Sequence, residues 1–401
     1  MTDENSSVSH VAVDSVSLPE TKTYKRRWYI LFVFSLLCVT QGAIWNTWGP
    51  LDASMRLVYD WTPRTIALQT SWGPIAYMVS IVFSVWLVDV KGLRVSCLVT
   101  AFVIAAGAAF RCVSFKPSLF TYFVHVGQFL NGLGGPLLMP PVVSAVWFPA
   151  TQRTTATSIG CFSCGFGVAL SFIIGPIIVP SPDQNRTFST NITDTEFVKH
   201  RIQILMYAEA AWAVLVLLLI IVYFPAAPKI PPSLTASIPR LNFREGLFGL
   251  LRLKRFWLLG WAYGISTGMS AAWSSVIAVN LSRIKVSTVT QDDAAWIGFY
   301  AGLAGITAGM VMVCENTYPI AEGVTNGLMT MLDNVMGLVF YLIMMAPIGT
   351  AWMNWSVVGC TAACLPVLLF YKDHYSRLDV DTMIVDVTNV SSNTEPLIED
   401  T

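Results

Sequence analysis

The sequence is poor in charged residues. Of its 401 residues, 24 are Lys or Arg and 24 are Asp or Glu, so that only 12% are charged and the formal net charge is zero. A soluble domain carries about 25% charged residues. Hydrophobic residues, in contrast, make up 54% of the chain. This balance excludes an ordinary soluble protein and predicts an integral membrane protein with no nucleic-acid partner.

The residue groupings that carry enzyme chemistry are also missing. No nucleophile stands with a base, and no cofactor-binding loop is recognisable. The pair Cys161-x-x-Cys164 has no His or acidic residue at ligand spacing, so it is better explained by helix packing than by a metal or redox site. The Gly-rich stretch 131–136 lacks the Lys-Ser/Thr pair of a phosphate-binding loop, and close helix packing explains it better. We therefore expect no enzyme activity, no cofactor and no metal.

Long apolar runs dominate what remains. A bilayer core about 30 Å thick needs roughly 20 apolar residues per helix. Ten runs meet this need, near 28–48, 66–88, 93–110, 120–146, 155–180, 202–224, 256–279, 294–313, 324–346 and 351–370. Residues 1–23 are polar and resemble no cleavable signal peptide, so the first run is expected to direct insertion. An even number of spans places both termini on one side.

Basic residues and glycosylation sequons give the orientation. With the N-terminus in the cytosol, the cytosolic segments hold 15 of the 24 basic residues, six of them between 225 and 255. The loop 181–201 then lies on the opposite side, and it carries the sequons of Asn185 and Asn191. These two asparagines are predicted to be glycosylated, and the sequons at Asn5 and Asn389 are predicted to stay bare.

The chain divides into two unequal halves. We predict a cytosolic tail 1–27, a six-helix bundle 28–224, a cytosolic linker 225–255, a four-helix bundle 256–370 and a cytosolic tail 371–401. The stretch Trp147–Gly160 in the first half is echoed by Thr317–Met329 in the second. Two spans lie between Asp89 and Pro149 in the first half, whereas none lies in the equivalent segment 313–319. Six plus four spans are therefore predicted to derive from six plus six.

One loop motif points to a known superfamily. Asp89, Gly92 and Arg94 resemble the Asp-x-x-Gly-x-Arg signature between the second and third spans of the major facilitator superfamily, although Val85 replaces an earlier glycine. Further stretches resemble the family of feline leukaemia virus subgroup C receptor-related transporters: VTQGAIWNTWGP, DVKGLR, GQFLNGLGGP, VWFPATQRTTATSIG, GPIIVP, YAEAAW, AAWIGFY and TYPIAEGVTNG.

The resemblance extends from Tyr24 to about Leu378 and lacks the family's ninth and tenth spans between Val313 and Glu315. It implies an all-α integral membrane protein, namely a helix bundle of the major facilitator type. It also implies a carrier of a small molecule, since members are carriers of haem, choline-like cations or pyridoxine. A lysosomal member of the family is the most similar, so pyridoxine export from the lysosome is the favoured function.

The signature loop is predicted to act as a gate. Asp89 and Arg94 lie at the ends of two adjacent spans, where a charge pair and helix-end dipoles can hold the two halves in one access state, and Gly92 lies between them. The alternative is a loop that serves only to set the topology.

Two similar stretches are predicted to face the substrate. Gln41, Trp45 and Asn46 lie near the end of the first span, and Gln69 and Trp72 repeat the pattern in the second. An amide in hydrocarbon is costly unless it has a partner or faces a cavity, and an indole face suits a flat ring or an ammonium group. The alternative is an interfacial aromatic belt, which would suit Trp48 better.

The Gly-Pro pairs 49–50 and 73–74 next to these two stretches are predicted to break or bend their helices, as happens around the sites of carriers.

Three ionisable residues lie within predicted spans, where charge is expensive and usually functional. Glu209, His125 and Asp333 are the candidates for proton coupling. Glu209 has an alternative, because the basic cluster 199–201 lies about two turns away and could pair with it.

The C-terminal tail contains two short motifs that resemble sorting signals. Tyr375 and Leu378 form a tyrosine-based motif, and Leu397 and Ile398 form an acidic dileucine-like pair. We expect a sorting adaptor as a partner and residence in the lysosomal membrane, with an ordinary juxtamembrane tail as the alternative. The other expected partners are a small-molecule substrate, the lipid bilayer and protons. Loss of two helices leaves one functional alternative, a non-transporting form that only binds or regulates.

Overall fold

The computed structural model describes residues 20–180, 192–237, 243–277, 296, 320–346, 349 and 351–370. Within these residues the structure is helical, with no strand. The helices are α1 (Arg27–Trp45), α2 (Asp52–Tyr59), α3 (Pro63–Trp86), α4 (Leu93–Arg111), α5 (Pro117–Gly134), α6 (Pro140–Trp147), α7 (Ala150–Ile178), α8 (Ile192–Val222), α9 (Leu234–Ser237), α10 (Phe243–Arg252), α11 (Lys254–Ser275), α12 (Glu322–Met344) and α13 (Ala351–Phe370).

Nine of the ten predicted apolar runs overlap helices, and the tenth, near 294–313, lies outside the described residues apart from Trp296. Seven of the helical segments in the described part are long and apolar enough to cross a membrane, and α11 and α13 are not among them. The all-α membrane fold is thereby confirmed. The division into six plus four spans stays a prediction.

Local sequence explains where the first helices begin and end. α1 ends at Trp45, so the predicted run 28–48 was too long, and Gly49-Pro50 lies in the turn that follows. The short helix α2 was not predicted. α3 begins at Pro63 behind Thr62, whose hydroxyl accepts from the backbone N–H of Thr65 at 3.2 Å and so caps the helix.

The predicted run 120–146 is not one helix. It is divided into α5, a 3₁₀ turn Gly135–Leu137 and α6. Proline has no N–H to donate to the preceding turn, so Pro136 and Pro140 favour this interruption. By contrast, the helix of α3 continues through Pro74. The pair Gly73-Pro74 therefore does not break its helix as Gly49-Pro50 does.

Glycines let the helices approach one another closely. A side chain on Gly42 of α1 would collide with the carbonyl oxygen of Cys164 in α7, and one on Gly167 would collide with the backbone of Val39. In the second half, a side chain on Gly268 of α11 would collide with the backbone of α12. Membrane helices pack in this way because small residues bring backbones into van der Waals contact. The two halves meet where α3 packs on α12.

The segment between the halves folds against the first bundle. Buried Arg153 of α7 donates to the hydroxyls of Ser233 and Thr235, the latter at 2.7 Å. The backbone N–H of Lys22 donates to the carbonyl oxygen of Pro231 at 3.0 Å. A cavity of about 690 Å³ lies between this segment and the end of α3.

Candidate functional site

Trp45 lies where the two halves meet. Its indole N–H donates to the carbonyl oxygen of Thr70 in α3 at 3.2 Å, and its ring occupies the space that a side chain on Gly73 would need. The ring also packs against an apolar cluster in the second half: Met269, Ala272, Val276, Phe340, Tyr341 and Met353. Trp45 itself stays half-buried. One aromatic ring therefore contacts both halves and keeps part of its surface accessible.

The two amides next to Trp45 turn in different directions. Gln41 is half-buried, and its amide nitrogen lies 3.8 Å from the position of a Cβ on Gly135. Asn46 is fully buried and donates to the hydroxyl of Ser171 in α7 at 2.9 Å. The structure therefore leaves Gln41 next to the junction of α1, α3 and α5, whereas Asn46 joins α1 to α7.

Trp48 does not belong to an interfacial belt, which corrects the expectation for this residue. Its side chain is fully buried, with ring centroids 5.2 Å from Trp61 and 6.1 Å from Phe120. The guanidinium carbon of Arg111 lies 5.5 Å from the centroid of the Trp48 ring, which is the geometry of a cation–π contact. The Trp48 ring is therefore already in contact with a cation of the protein, namely Arg111.

Glu209 pairs with a residue that the sequence analysis did not single out. Its carboxylate lies 3.1 Å from the guanidinium of Arg111, whose side chain is fully buried, and it accepts from the hydroxyl of Thr47 at 2.7 Å. Glu209 is therefore paired with a cation, as the alternative expected, but the cation is Arg111 and not a residue of the basic cluster 199–201. Arg111 ends α4, and α4 packs along α8, which brings the two charges together.

The second predicted stretch forms a cluster between α3 and α5. The indole N–H of Trp72 donates to Nδ1 of His125 at 2.7 Å, and the side-chain amide of Gln69 lies 3.3 Å from Nε2 of the same ring. His125 accepts at Nδ1 and is therefore neutral in this arrangement, with its proton on Nε2. That proton can bond Gln69 only through the Gln69 side-chain oxygen, which is buried and has no other hydrogen-bond partner within the described residues. Trp72 is thus bonded to His125 in α5 and Gln69 lies beside the same ring, whereas Trp45 lies against Thr70 and Gly73.

Asp333 is a carboxylate that faces α11 from α12. One of its oxygens is buried and has no hydrogen-bond partner within the described residues. The hydroxyl of Thr267 lies beside the carboxylate but donates to the carbonyl oxygen of Tyr263 at 2.7 Å. The phenols of Tyr77 in the first half and Tyr263 in the second half lie near this carboxylate. This carboxylate therefore lies among polar groups of both halves.

The signature loop reaches the second half through Asp89. The Asp89 carboxylate lies against the Cα of Gly323, in the first turn of α12. Gly92 has a φ of 83° and a ψ of 175°, a conformation essentially restricted to glycine. Arg94 is exposed and makes no ion pair with Asp89 in the described part of the chain. Contact between the halves therefore involves Asp89 and the helix end, without Arg94.

The remaining predicted residues lie outside the described residues. These are the glycosylation candidates Asn185 and Asn191 and the sorting candidates Tyr375, Leu378, Leu397 and Ile398. No group of metal ligands was found among the residues that the structure describes.

The fold is that of a major facilitator transporter. The chain is similar to the xylose transporter XylE from E. coli, with a TM-score of 0.58 and 13% identity, covering 88% of this chain and 98% of that one. It is equally similar to the major facilitator transporter FucP, with a TM-score of 0.58 and 15% identity, covering 85% of this chain and 99% of that one. At such identities the likeness shows the fold alone.

Sequence relatives give the family. A solute carrier family 49 member 4 homolog from Xenopus tropicalis is 31% identical, over 90% of this chain and 94% of that protein. The choline/ethanolamine transporter FLVCR2 from Homo sapiens is 26% identical, over 80% of this chain and 71% of that protein. No model of a protein family matches the chain. The chain belongs to solute carrier family 49, and it is a membrane transporter of a small molecule, not an enzyme.

The alignment with the Xenopus relative is longer than the part of this chain that it uses. It runs over 435 positions but uses 90% of the 401 residues, which is about 361, so about 74 positions of the relative have no counterpart here. Two membrane helices with their connections have this order of length.

Proposed function

We propose that this transporter carries a small organic solute with a cationic or aromatic group, which binds at the face of Trp45. Pyridoxine is our first candidate, and choline or ethanolamine, which the FLVCR2 relatives carry by name, are the second. The proposed setting is the lysosomal membrane, with both termini in the cytosol and with export from the lumen coupled to protons.

The observation that carries this proposal is the contrast between two neighbouring tryptophans. Trp48 is fully buried and has the guanidinium of Arg111 at its ring. Trp45, three residues earlier, is half-buried at the contact between the halves. A transported solute must reach a site that both halves share, since carriers bind near the middle of the membrane where the halves meet. Trp45 supports such a site, and Trp48 does not.

Asp333 is the best supported of the three proton-coupling candidates. Glu209 is neutralised by Arg111, and His125 is held as an acceptor by Trp72. Asp333 has a buried oxygen without a hydrogen-bond partner in the described residues. A carboxylate that is neither paired with a cation nor fully hydrogen-bonded gains most from taking up a proton. We propose that it does so on the acidic side and releases the proton on the other.

The second candidate is a form of this transporter that has lost transport, and the roughly 74 relative positions without a counterpart here favour it. Loss of two helices, as the sequence predicts, would leave the second half with less surface to close around a solute. The two candidates predict different results in one uptake assay.

The test is uptake of labelled pyridoxine and labelled choline into cells that carry the protein at their surface, with the outside at acidic pH. Trp45→Ala should remove a contact of about 0.5 to 2 kcal/mol, which corresponds to a roughly two- to thirty-fold rise in apparent KM. Trp45→Phe should lose less. The matched control is Trp212→Phe, which removes an indole that donates to Thr40 at 2.9 Å away from the second half. Equal KM for the wild type and Trp45→Ala would refute the site.

A second protein, with two helices restored after Val313, separates the candidates. Uptake only by the restored protein would support the non-transporting form, whereas uptake by both would support transport by the chain as it stands. Asp333→Asn should abolish the dependence of uptake on an acidic exterior, and a full pH dependence in that variant would exclude Asp333.

A further inference from the structure

The C-terminal end of α1 has its carbonyl groups capped by side chains from two other helices. The last four carbonyl groups of an α-helix have no partner within the helix. The carbonyl oxygen of Ile44 accepts from Arg111 of α4 at 3.1 Å, and that of Trp45 accepts from Gln128 of α5 at 3.0 Å. The end of the helix that carries Trp45 is therefore held from outside.

The capping side chains are themselves joined into one network. Arg111 donates to the side-chain oxygen of Gln128 and is paired with Glu209 of α8 at 3.1 Å. Glu209 in turn accepts from Thr47, which follows the end of α1, at 2.7 Å. Four segments thus meet at one point, and Arg111 and Gln128 are fully buried there.

Electrostatics accounts for each charge in this network. The C-terminal end of a helix carries a partial negative charge, so a cation is favoured there. A lone buried guanidinium would be costly, and Glu209 offsets its charge. The planar guanidinium can donate in several directions at once, which lets Arg111 bind Ile44, Gln128 and Glu209 together.

We infer that Arg111, Gln128 and Glu209 are positioning residues, which fix the end of α1 and thereby hold the Trp45 indole in its place against α3. The inference rests on the proposed function, in which that indole binds the solute. It also assigns Glu209 to this network, so Glu209 does not carry the transported proton. The variants of choice alter the network without removing a charge: Gln128→Met removes the cap on Trp45, and Arg111→Lys keeps the charge but loses the branched donor.

The first test does not depend on any substrate. The full chain is purified with 5-fluorotryptophan at its 14 tryptophans, and its ¹⁹F resonances are recorded in nanodiscs. Substitution to Phe assigns Trp45 and Trp257, the latter in α11. Gln128→Met and Arg111→Lys should shift or broaden the Trp45 resonance and leave the Trp257 resonance in place. Ser144→Ala, which removes the buried hydroxyl contact with Thr157 at 2.7 Å, is the control and should leave Trp45 unchanged. An unmoved Trp45 resonance in both network variants would overturn the inference.

The second test is a double-mutant cycle on the apparent KM for pyridoxine or choline, normalised to the amount of protein in the membrane. Gln128→Met should raise KM by several fold in the wild type and add nothing further in Trp45→Ala, because both changes act through one indole. Additive effects on KM would overturn the inference, as would a loss of protein with unchanged KM. If Trp45→Ala itself leaves KM unchanged while the resonance shifts persist, the proposed function fails and the capping of α1 still stands.

Discussion

The carboxylate of Asp89 lies against the Cα of Gly323, so that the turn Leu87–Lys91, which follows α3, touches the first turn of α12. The first turn of a helix has backbone N–H groups without partners and a partial positive charge. The Asp89 carboxylate lies at this helix end together with the carboxylate of Glu322 in the same turn, and this contact joins the first half to the second. Gly323 permits the contact because it has no side chain.

The Asp89 contact predicts a clear effect for Gly323→Ala. The new methyl group would overlap the Asp89 carboxylate and push it from the helix end. The two halves should then separate more readily on this side. Labelling of a cysteine placed at Glu322 should become faster. Gly359→Ala in α13 is the control, because no atom of the described residues lies within 4 Å of the added methyl group. Equal labelling rates in both variants would contradict the gating role.

Substitution of Gly92 is predicted to lower the stability of the protein through backbone strain and not through a steric clash. A Cβ at this position would meet no atom of the described part of the chain within 4 Å, but φ is 83°. A non-glycine residue in this region costs about 1 to 3 kcal/mol. Gly92→Ala and Gly92→Asn should both lower the apparent Tm in detergent, whereas Gly359→Ala should not. A Gly92→Ala protein as stable as the wild type would show that the turn relaxes without strain.

Trp48→Ala and Trp45→Ala should have different effects: the first should destabilise the folded protein, whereas the second should weaken solute binding. Trp48 is fully buried between Trp61 and Arg111, so its removal leaves a cavity and costs about 3 to 5 kcal/mol. We expect Trp48→Ala to reduce the amount of folded protein, measured by fluorescence size-exclusion chromatography. Trp48→Phe should recover most of it. Normal abundance of Trp48→Ala would contradict its role in the core.

The sugar sites test the orientation. Asn185→Gln combined with Asn191→Gln should remove the sugar of the loop 181–201. Asn280 also stands in a sequon on the predicted non-cytosolic side, so adding Asn280→Gln should leave a band that glycosidase no longer changes. Asn354, which also stands in a sequon, lies inside α13 and accepts from Trp273 at 2.7 Å, so we do not expect it to be modified. Sugar found at Asn5 or Asn389 would mean that the orientation is inverted.

The C-terminal tail tests the location. Deletion of 391–401 removes Leu397 and Ile398, and the protein should then shift from lysosomes toward the cell surface, measured by surface biotinylation. Alanine at Tyr375 and Leu378 tests the other motif separately. Unchanged lysosomal residence in both variants would leave neither motif as the signal.

The helices were largely predictable from the sequence. A backbone in hydrocarbon must satisfy its hydrogen bonds internally, so a long apolar run is restricted to a helix. The run near 93–110 accordingly matches α4, Leu93–Arg111. Where proline and glycine coincide, the same reasoning is less certain. Gly49-Pro50 follows the end of α1, but Pro74 lies inside α3, because a proline permits a break and the surrounding packing decides whether one occurs.

The sequence predicted which residues belong to the candidate site, but not which of them are buried or which groups they contact. Amphipathic spacing placed Trp45 and Trp48 near the end of one span but could not tell a ring in the core from a ring at the contact between the halves. For Glu209, the sequence offered the nearest cations along the chain, whereas the actual partner Arg111 lies 98 residues away. Arg111 follows the end of an apolar run, and this position was the only feature of the sequence that could have indicated a buried cation there.

The membrane class, the long helices and the glycine at the turn of the signature loop follow from the sequence alone, because composition and local backbone energetics set these features. The pairing of the polar groups, in contrast, depends on how the helices pack. Trp45 reaches Thr70 across 25 residues, and Asp89 reaches Gly323 in the other half. A buried polar group takes whatever partner the packed helices place within hydrogen-bond distance, and sequence spacing does not contain that information.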